Sequence, residues 1–172
     1  LSFPFAIRNQ VKTSLSTLKA GKELRNELLA FQRDFYLNAK KEAAQDDLKG
    51  YVFSSQNDNA RLNHFLEILF KHQIKVYKTT RNQQFGAQTF SKSNSYIIPL
   101  EQTQYKLIKA LFQKQTSFQD SLFYDVSAWT LPLAFNLDFE AIPSSKFDSN
   151  LIGEEISEGQ LKKTVETAFS DY

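Results

Sequence analysis

The chain has 172 residues and a nearly balanced charge, with 21 basic and 19 acidic side chains giving a net charge of +2. The basic residues are scattered, which makes nucleic acid and anionic membrane poor candidates for a partner. There is no Cys, so disulfides, thiolate zinc sites and cysteine nucleophiles are excluded, while 16 Phe and 7 Tyr can fill a core without them.

No apolar run reaches the roughly 18 residues that a membrane-spanning helix needs. The sequence also contains no Met, shows no signal peptide and starts inside an apolar pattern at Leu1. These features lead us to expect a processed product or an internal fragment of a longer protein.

The first 48 residues form an N-terminal segment that is mainly helical by pattern. Residues 1–7 are apolar and contain Pro4, which favours a strand or an extended lead-in. Residues 8–44 have a helical apolar period, and Gly21 marks a break, so we expect two helices or one bent helix. Such a segment either packs across a neighbouring domain or covers the sheet of its own domain, and the pattern alone leaves both open.

Residues 49–80 predict a strand, a helix and a second strand. A β-rich run precedes Ser54 and Ser55, and another covers residues 74–80. The helix between them places its apolar residues at i, i+3, i+4, i+7 and i+8, namely Leu62, Phe65, Leu66, Leu69 and Phe70. A βαβ unit of this length predicts two parallel strands and a right-handed crossover.

The remaining chain is predicted as shorter elements. Residues 88–90 and 96–100 favour a hairpin, and residues 103–114 favour a helix. Pro132 is expected to break or kink a short helix after an aromatic-rich stretch. Residues 143–153 resemble a linker. We therefore expect an α/β domain at residues 49–142, followed by a linker and the start of another element at residues 143–172.

Three polar residues after the first strand are candidates for a binding site. Ser54 and Ser55 end that strand, where α/β sheets often bind ligands, and Asp58 is one of several residues able to cap the following helix. No glycine-rich loop follows the serines, which argues against a nucleotide site. A small anion at the helix N-terminus remains an alternative.

Two further sets of residues have spacings that occur in active sites. His64 and Glu67 are three residues apart, so one face of a helix could present both to a metal ion, although His72 lies too far along the axis to join them. An ordinary surface pair explains them more simply. Asp120 and Asp125 are a possible acid–base pair, but they also suit turns and helix caps.

Two aromatic residues near the second half of the chain are the remaining candidates. Tyr124 and Trp129 could present a stacking surface to a small molecule or a peptide. A tryptophan in such a context more often anchors a core or an interface.

Several stretches resemble one known family. The N-terminal Phe-Pro-Phe-Ala-Ile-Arg at residues 3–8 and the Ser-Tyr-Ile-Ile-Pro-Leu-Glu-Gln at residues 95–102 resemble parts that follow the catalytic core in bacterial zinc carboxypeptidase-like proteins, of the carboxypeptidase A-like metallopeptidase family. So does the run Phe-Tyr-Asp-Val-Ser-Ala-Trp-Thr-Leu-Pro at residues 123–132. The likeness covers roughly residues 1–142.

The resemblance implies a non-catalytic accessory domain that docks on a peptidase core and a following domain of the same polypeptide. Its expected fold is similar to glutamine-amidotransferase-like and flavodoxin-like α/β layers. Zinc would belong only to the peptidase core, because that family's zinc pair lies in a loop and needs a distant third His, which this chain lacks. The resemblance also favours a secreted or periplasmic protein. The alternative is a binding module for a small molecule or a peptide.

Overall fold

The computed structural model describes residues 2–55, 58–114 and 130–160, and the chain divides into two units, Leu1–Asn38 and Ala39–Tyr172. The helices and strands, in chain order, are α1 Phe3–Glu23, α2 Arg25–Gln45, β1 Leu48–Ser54, α3 Asn59–Lys71, β2 Tyr77–Thr79, β3 Gln83–Phe85, β4 Gln88–Phe90, β5 Ser95–Pro99, α4 Tyr105–Phe112, α5 Leu131–Ala134, β6 Asp138–Pro143 and β7 Ile152–Glu155. Two 3-10 turns, Ser144–Lys146 and Ser149–Leu151, precede β7.

The first unit consists of α1 and the part of α2 up to Asn38. Pro4 lies in the first turn of α1, where its missing N–H has no helical partner to lose, so the extended lead-in expected for residues 1–7 is wrong. The predicted break is confirmed but lies at Leu24 instead of Gly21. Hydrogen bonds from Leu24 N to Ala20 O and from Leu28 N to Leu24 O continue the helical ladder across it.

The second unit is built on a five-stranded sheet with the order β6-β1-β5-β2-β7. The mixed α/β class is confirmed. Strands β1 and β2 both pair antiparallel with β5, so they run in the same direction, as predicted, but β5 lies between them. All strand pairings of this sheet among the described residues are antiparallel, which corrects the parallel layering expected from amidotransferase-like and flavodoxin-like folds.

One face of the sheet packs against helices. Helix α3 buries Leu62, Phe65, Leu66 and Leu69, the face that the sequence predicts. Aromatic rings connect the layers: the ring of Phe53 in β1 lies 5.2 Å from that of Phe65, and Phe112 of α4 lies 5.9 Å from the same ring. Ala39 and Ala43 of α2 belong to the same core. Burial of these rings is the main stabilising contribution on this face.

The opposite face packs against the hairpin formed by β3 and β4. Phe85 and Phe90 lie on Val52, Ile97 and Ile142. The hairpin turns at Gly86, whose φ of +59° is a conformation that glycine adopts without strain. The predicted hairpin between residues 88–90 and 96–100 is therefore wrong, because the second run becomes the central strand β5.

Residues 143–153 run from the end of β6 through two 3-10 turns into β7, whereas a linker was expected there. Strand β7 pairs with β2, and Ile156 N continues that pairing by donating to Val76 O. A side chain at Gly153 would bring its Cβ to 2.7 Å from Lys78 O, so glycine permits the close approach of the two strands. The Ser-, Asp- and Asn-rich composition here reflects two 3-10 turns, and Gly153 allows the close strand contact.

The side-chain amide of Gln102 connects the chain just before β2 to the end of β5. Its Oε1 accepts from Lys75 N at 2.8 Å, and its Nε2 donates to Lys75 O at 3.0 Å and to Pro99 O at 2.7 Å. The side chain is buried, so these bonds replace water for three polar groups of the main chain.

We predict that Gln102→Ala lowers the free energy of unfolding by about 1 to 3 kcal/mol, because it removes three hydrogen bonds to the part-buried main chain of Lys75 and Pro99. Urea denaturation measures the change. Gln113→Ala, at an exposed position near the end of α4, is the control and should have an effect below about 0.5 kcal/mol. Equal effects at the two positions would contradict the role assigned to Gln102.

Candidate functional site

Four polar residues form a row across one end of the sheet, on the face that the hairpin covers. Ser54 of β1 lies opposite Ser95 of β5 and opposite Asp138 of β6. Thr79 of β2 continues the row, because its Oγ1 donates to Ser95 O at 3.3 Å. Alternation along each strand places these side chains on the same face as Val52 and Ile97. We call Asp138, Ser54, Ser95 and Thr79 the polar row.

Most of the polar row is buried, and its hydrogen bonding is incomplete. Ser54, Thr79 and Ser95 are buried, with Ser95 only 1% exposed. Among the described residues, Ser95 Oγ and Gln88 Oε1 are buried without a hydrogen-bond partner. The amide of Gln88 reaches over the row, since its Nε2 lies 3.5 Å from Asp138 Oδ1. An unpaired buried polar group costs about 1 to 3 kcal/mol, so two in one region call for an explanation.

The other two candidates at this end of β1 have structural partners. Ser55 Oγ accepts from Asp58 N at 2.9 Å, and Asp58 Oδ1 accepts from Arg61 N at 2.9 Å. Asp58 also forms an ion pair with Arg61 at 3.2 Å. The Asp58 carboxylate therefore caps α3 and already supplies negative charge at that helix N-terminus, which disfavours an additional anion.

The His64–Glu67 pair lies on the surface of α3. His64 Nδ1 is 3.5 Å from Glu67 Oε2, and the two side chains are 72% and 47% exposed. Within residues 2–55, 58–114 and 130–160, no group of three His, Cys, Asp or Glu side chains is arranged to hold a metal ion.

The aromatic candidates Tyr124 and Trp129 lie outside the described residues, as do Asp120 and Asp125. The described residues on either side of this segment are close to each other. Thr130 Oγ1 donates to Gln113 O at 2.7 Å. This bond holds Thr130 next to the C-terminal end of α4.

Sequence reasoning missed an ion cluster that links the end of α2 to α4. Asp46 Oδ2 accepts from Tyr105 Oη at 2.5 Å and from Lys109 Nζ at 2.5 Å, and Asp46 Oδ1 accepts from Leu48 N at 2.9 Å. One turn earlier, Glu42 pairs with Lys106 at 3.1 Å. The i, i+4 spacing of Tyr105 and Lys109 was visible in the sequence, but nothing in it identified Asp46 as their partner.

The pKa shifts of the three side chains in this cluster favour a structural role. Burial raises the pKa of Asp46, but hydrogen bonds from Lys109, Tyr105 and the Leu48 N–H outweigh it and lower that pKa to about 2. Burial and the bond to Asp46 raise the pKa of Tyr105, while the bond to Asp46 raises that of Lys109. None of these three pKa values is shifted toward neutral pH, as the pKa of a general acid or base would need to be.

The largest exposed apolar surface of the described residues lies on the N-terminal helices. Helix α1 has no buried residue, and its apolar stripe consists of Phe3, Ile7, Val11, Leu15 and Leu18. Phe3 is 78%, Leu15 62% and Leu18 71% exposed. Helix α2 adds exposed Leu24, Leu28 and Phe31 before Asn38. Apolar surface of this extent usually marks an interaction site.

Comparison with protein-family models, with curated proteins and with solved structures found no match to this chain. Among the described residues, no helix is both long enough and apolar enough to cross a bilayer.

Asp46→Asn should remove the ion pair with Lys109 and lower the free energy of unfolding at pH 7 by about 1 to 2 kcal/mol. Loss of a fully buried ion pair would cost more, but Lys109 is partly exposed to solvent. The pKa of Asp46 is about 2 in the folded chain and 3.8 for an unperturbed carboxyl. The stabilisation is therefore complete above about pH 4 and disappears as the pH falls toward 2.

Urea denaturation of the wild type and the variant at pH 7, 4 and 2.5 measures this difference. Glu101→Gln, which changes an exposed carboxylate at the start of the turn before α4, is the control and should show no such pH-dependent difference. A difference between Asp46→Asn and the wild type that is constant from pH 7 to 2.5 would contradict the assignment.

Proposed function

We propose that this chain is a non-catalytic accessory domain of a zinc carboxypeptidase-like protein, and that it docks on the peptidase core of the same polypeptide through its N-terminal helices. The observation that carries the proposal is the exposed apolar stripe of α1. The family resemblance of residues 1–142 supplies the identity of the partner. Under this proposal zinc belongs to the peptidase core.

The geometry of the first unit supports docking on another surface. The helical ladder continues through Leu24, and no loop separates α1 from α2, so the two helices cannot fold back on each other to cover the stripe. Burying a Leu or Phe side chain contributes about 1.5 to 3 kcal/mol, so covering Phe3, Leu15 and Leu18 provides enough free energy for a stable interface.

The hydrogen bonds of the polar candidates also support a structural role for the second unit. Asp58 caps a helix, Ser55 accepts from the main chain, and Asp46 joins two helices. Residues that have such partners are held in place by the fold and contribute to its stability.

Leu15→Gln combined with Leu18→Gln should weaken binding to the peptidase core at least tenfold, or about 1.4 kcal/mol, because both side chains lose apolar contact area. The core is the one encoded in the same reading frame, produced separately and titrated against the chain by calorimetry. Gln is a good helix former, so far-UV circular dichroism should be unchanged.

The matched control is Leu133→Gln, an exposed leucine in α5 that is 60% accessible and lies outside the N-terminal helices. It should bind the core as tightly as the wild type. A reading frame without a peptidase core, or a core that binds the double variant and the wild type equally, would overturn the proposal.

A second candidate function is favoured by the unpaired atoms Ser95 Oγ and Gln88 Oε1. A small polar molecule that hydrogen-bonds with the polar row would satisfy both. The hairpin covers Ser95, so binding requires β3 and β4 to move, and for this reason we place it second.

For this second function we predict that millimolar free amino acids, dipeptides or simple sugars raise the melting temperature of the chain, and that Ser95→Ala removes the rise. Ser93→Ala, a serine on the exposed turn before β5, is the control and should retain it. No rise with any of these probes, or an equal rise in Ser95→Ala, would exclude this binding.

A further inference from the structure

Three of the four basic residues of α1 lie along one side of its apolar stripe. Arg8 follows Ile7, Lys12 follows Val11, and Lys19 follows Leu18 in the sequence. Because successive residues of a helix are rotated by about 100°, the residues that follow Ile7, Val11 and Leu18 all lie on the same flank of the stripe. The three side chains are therefore aligned beside the stripe, and all are exposed.

The other flank of the stripe carries no charge. The residues that precede stripe positions are Ala6, Gln10, Ser14 and Thr17. Helix α1 contains four basic residues and a single acidic one, Glu23 in its last turn, 3.8 Å from Lys19. The balanced composition of the whole chain conceals this local excess of positive charge.

From this asymmetry we infer that α1 docks in an apolar groove whose rim carries carboxylates along one side only, on the peptidase core. The inference rests on the proposed function and specifies the chemistry of the partner surface. Charge complementarity fixes the orientation of the helix in the groove and accelerates association, while the stripe provides most of the affinity.

An anionic bilayer is the competing surface for a basic amphipathic helix. Helices that lie in a membrane interface carry Lys and Arg across the polar face, so that the charges reach the headgroups on both sides of the apolar stripe. Here one flank is uncharged, and Ser14 and Thr17 on it would not reach headgroup phosphates as Lys does. The one-sided pattern therefore favours a protein groove.

The test compares two double charge reversals in the complete chain. In Lys12→Glu with Lys19→Glu, the flank changes sign while helix propensity is kept. In Lys71→Glu with Lys92→Glu, the same net charge changes at exposed positions of the second unit. Binding to the separately produced peptidase core is measured by surface plasmon resonance at about 50 and 500 mM NaCl.

The wild type should bind the core about tenfold more weakly at the higher salt concentration, mainly through a slower association rate. The flank variant should bind at least tenfold more weakly than the wild type at low salt and lose most of the salt dependence. The control variant should differ from the wild type by less than about threefold.

The outcomes separate this inference from the proposed function. If the core binds but salt and the flank reversal have no effect, the carboxylate rim is wrong and the docking function stands. If the core does not bind while vesicles containing phosphatidylserine do, in a salt-dependent manner, the partner is a membrane and both are wrong. Absence of binding to either surface also overturns both.

Discussion

The second unit depends on the insertion of β5 between two strands that run in the same direction. Its backbone bonds to β1 on one side and to β2 on the other, so removing it would leave β1 and β2 without a common partner. Ile97 and Ile98 of this strand point into opposite cores, under the hairpin and under the helices respectively. Both layers are thus anchored on one five-residue strand, and β6 and β7 add to its neighbours.

This position of β5 explains which parts of the fold were predictable. The α3 helix was predictable because its apolar period is a local property that tertiary packing preserves. The common direction of β1 and β2 was also predictable, since a helix that crosses over a sheet returns the chain to the same end. The identity of the strand between them was not, because residues 95–99 pair with partners far away in the sequence, and β propensity carries no information about partners.

The candidate site shows the same limit at the level of side chains. Ser54 was identifiable from its place at the end of a β-rich run, but the row that it forms with Ser95 and Asp138 depends on register across three strands. Asp46 was part of a charged stretch with no distinctive spacing, and its role follows from the packing of α4 on the end of α2. Ionisable residues acquire perturbed pKa values from neighbours that are distant in sequence, which a single sequence does not reveal.

The apolar positions of α2 differ in size and in burial along the helix. Leu28, Phe31, Phe35 and Ala39 follow one another at helical spacing, and Ala43 continues the series. Its last two members are alanines buried in the helix-side core, whereas Leu28 and Phe31 are large and exposed. Small side chains allow a helix to pack closely against a core. The large side chains of Leu28 and Phe31 remain exposed. The change in size after Phe35 therefore matches the change in burial along α2, from exposed Leu28 and Phe31 to buried Ala39 and Ala43.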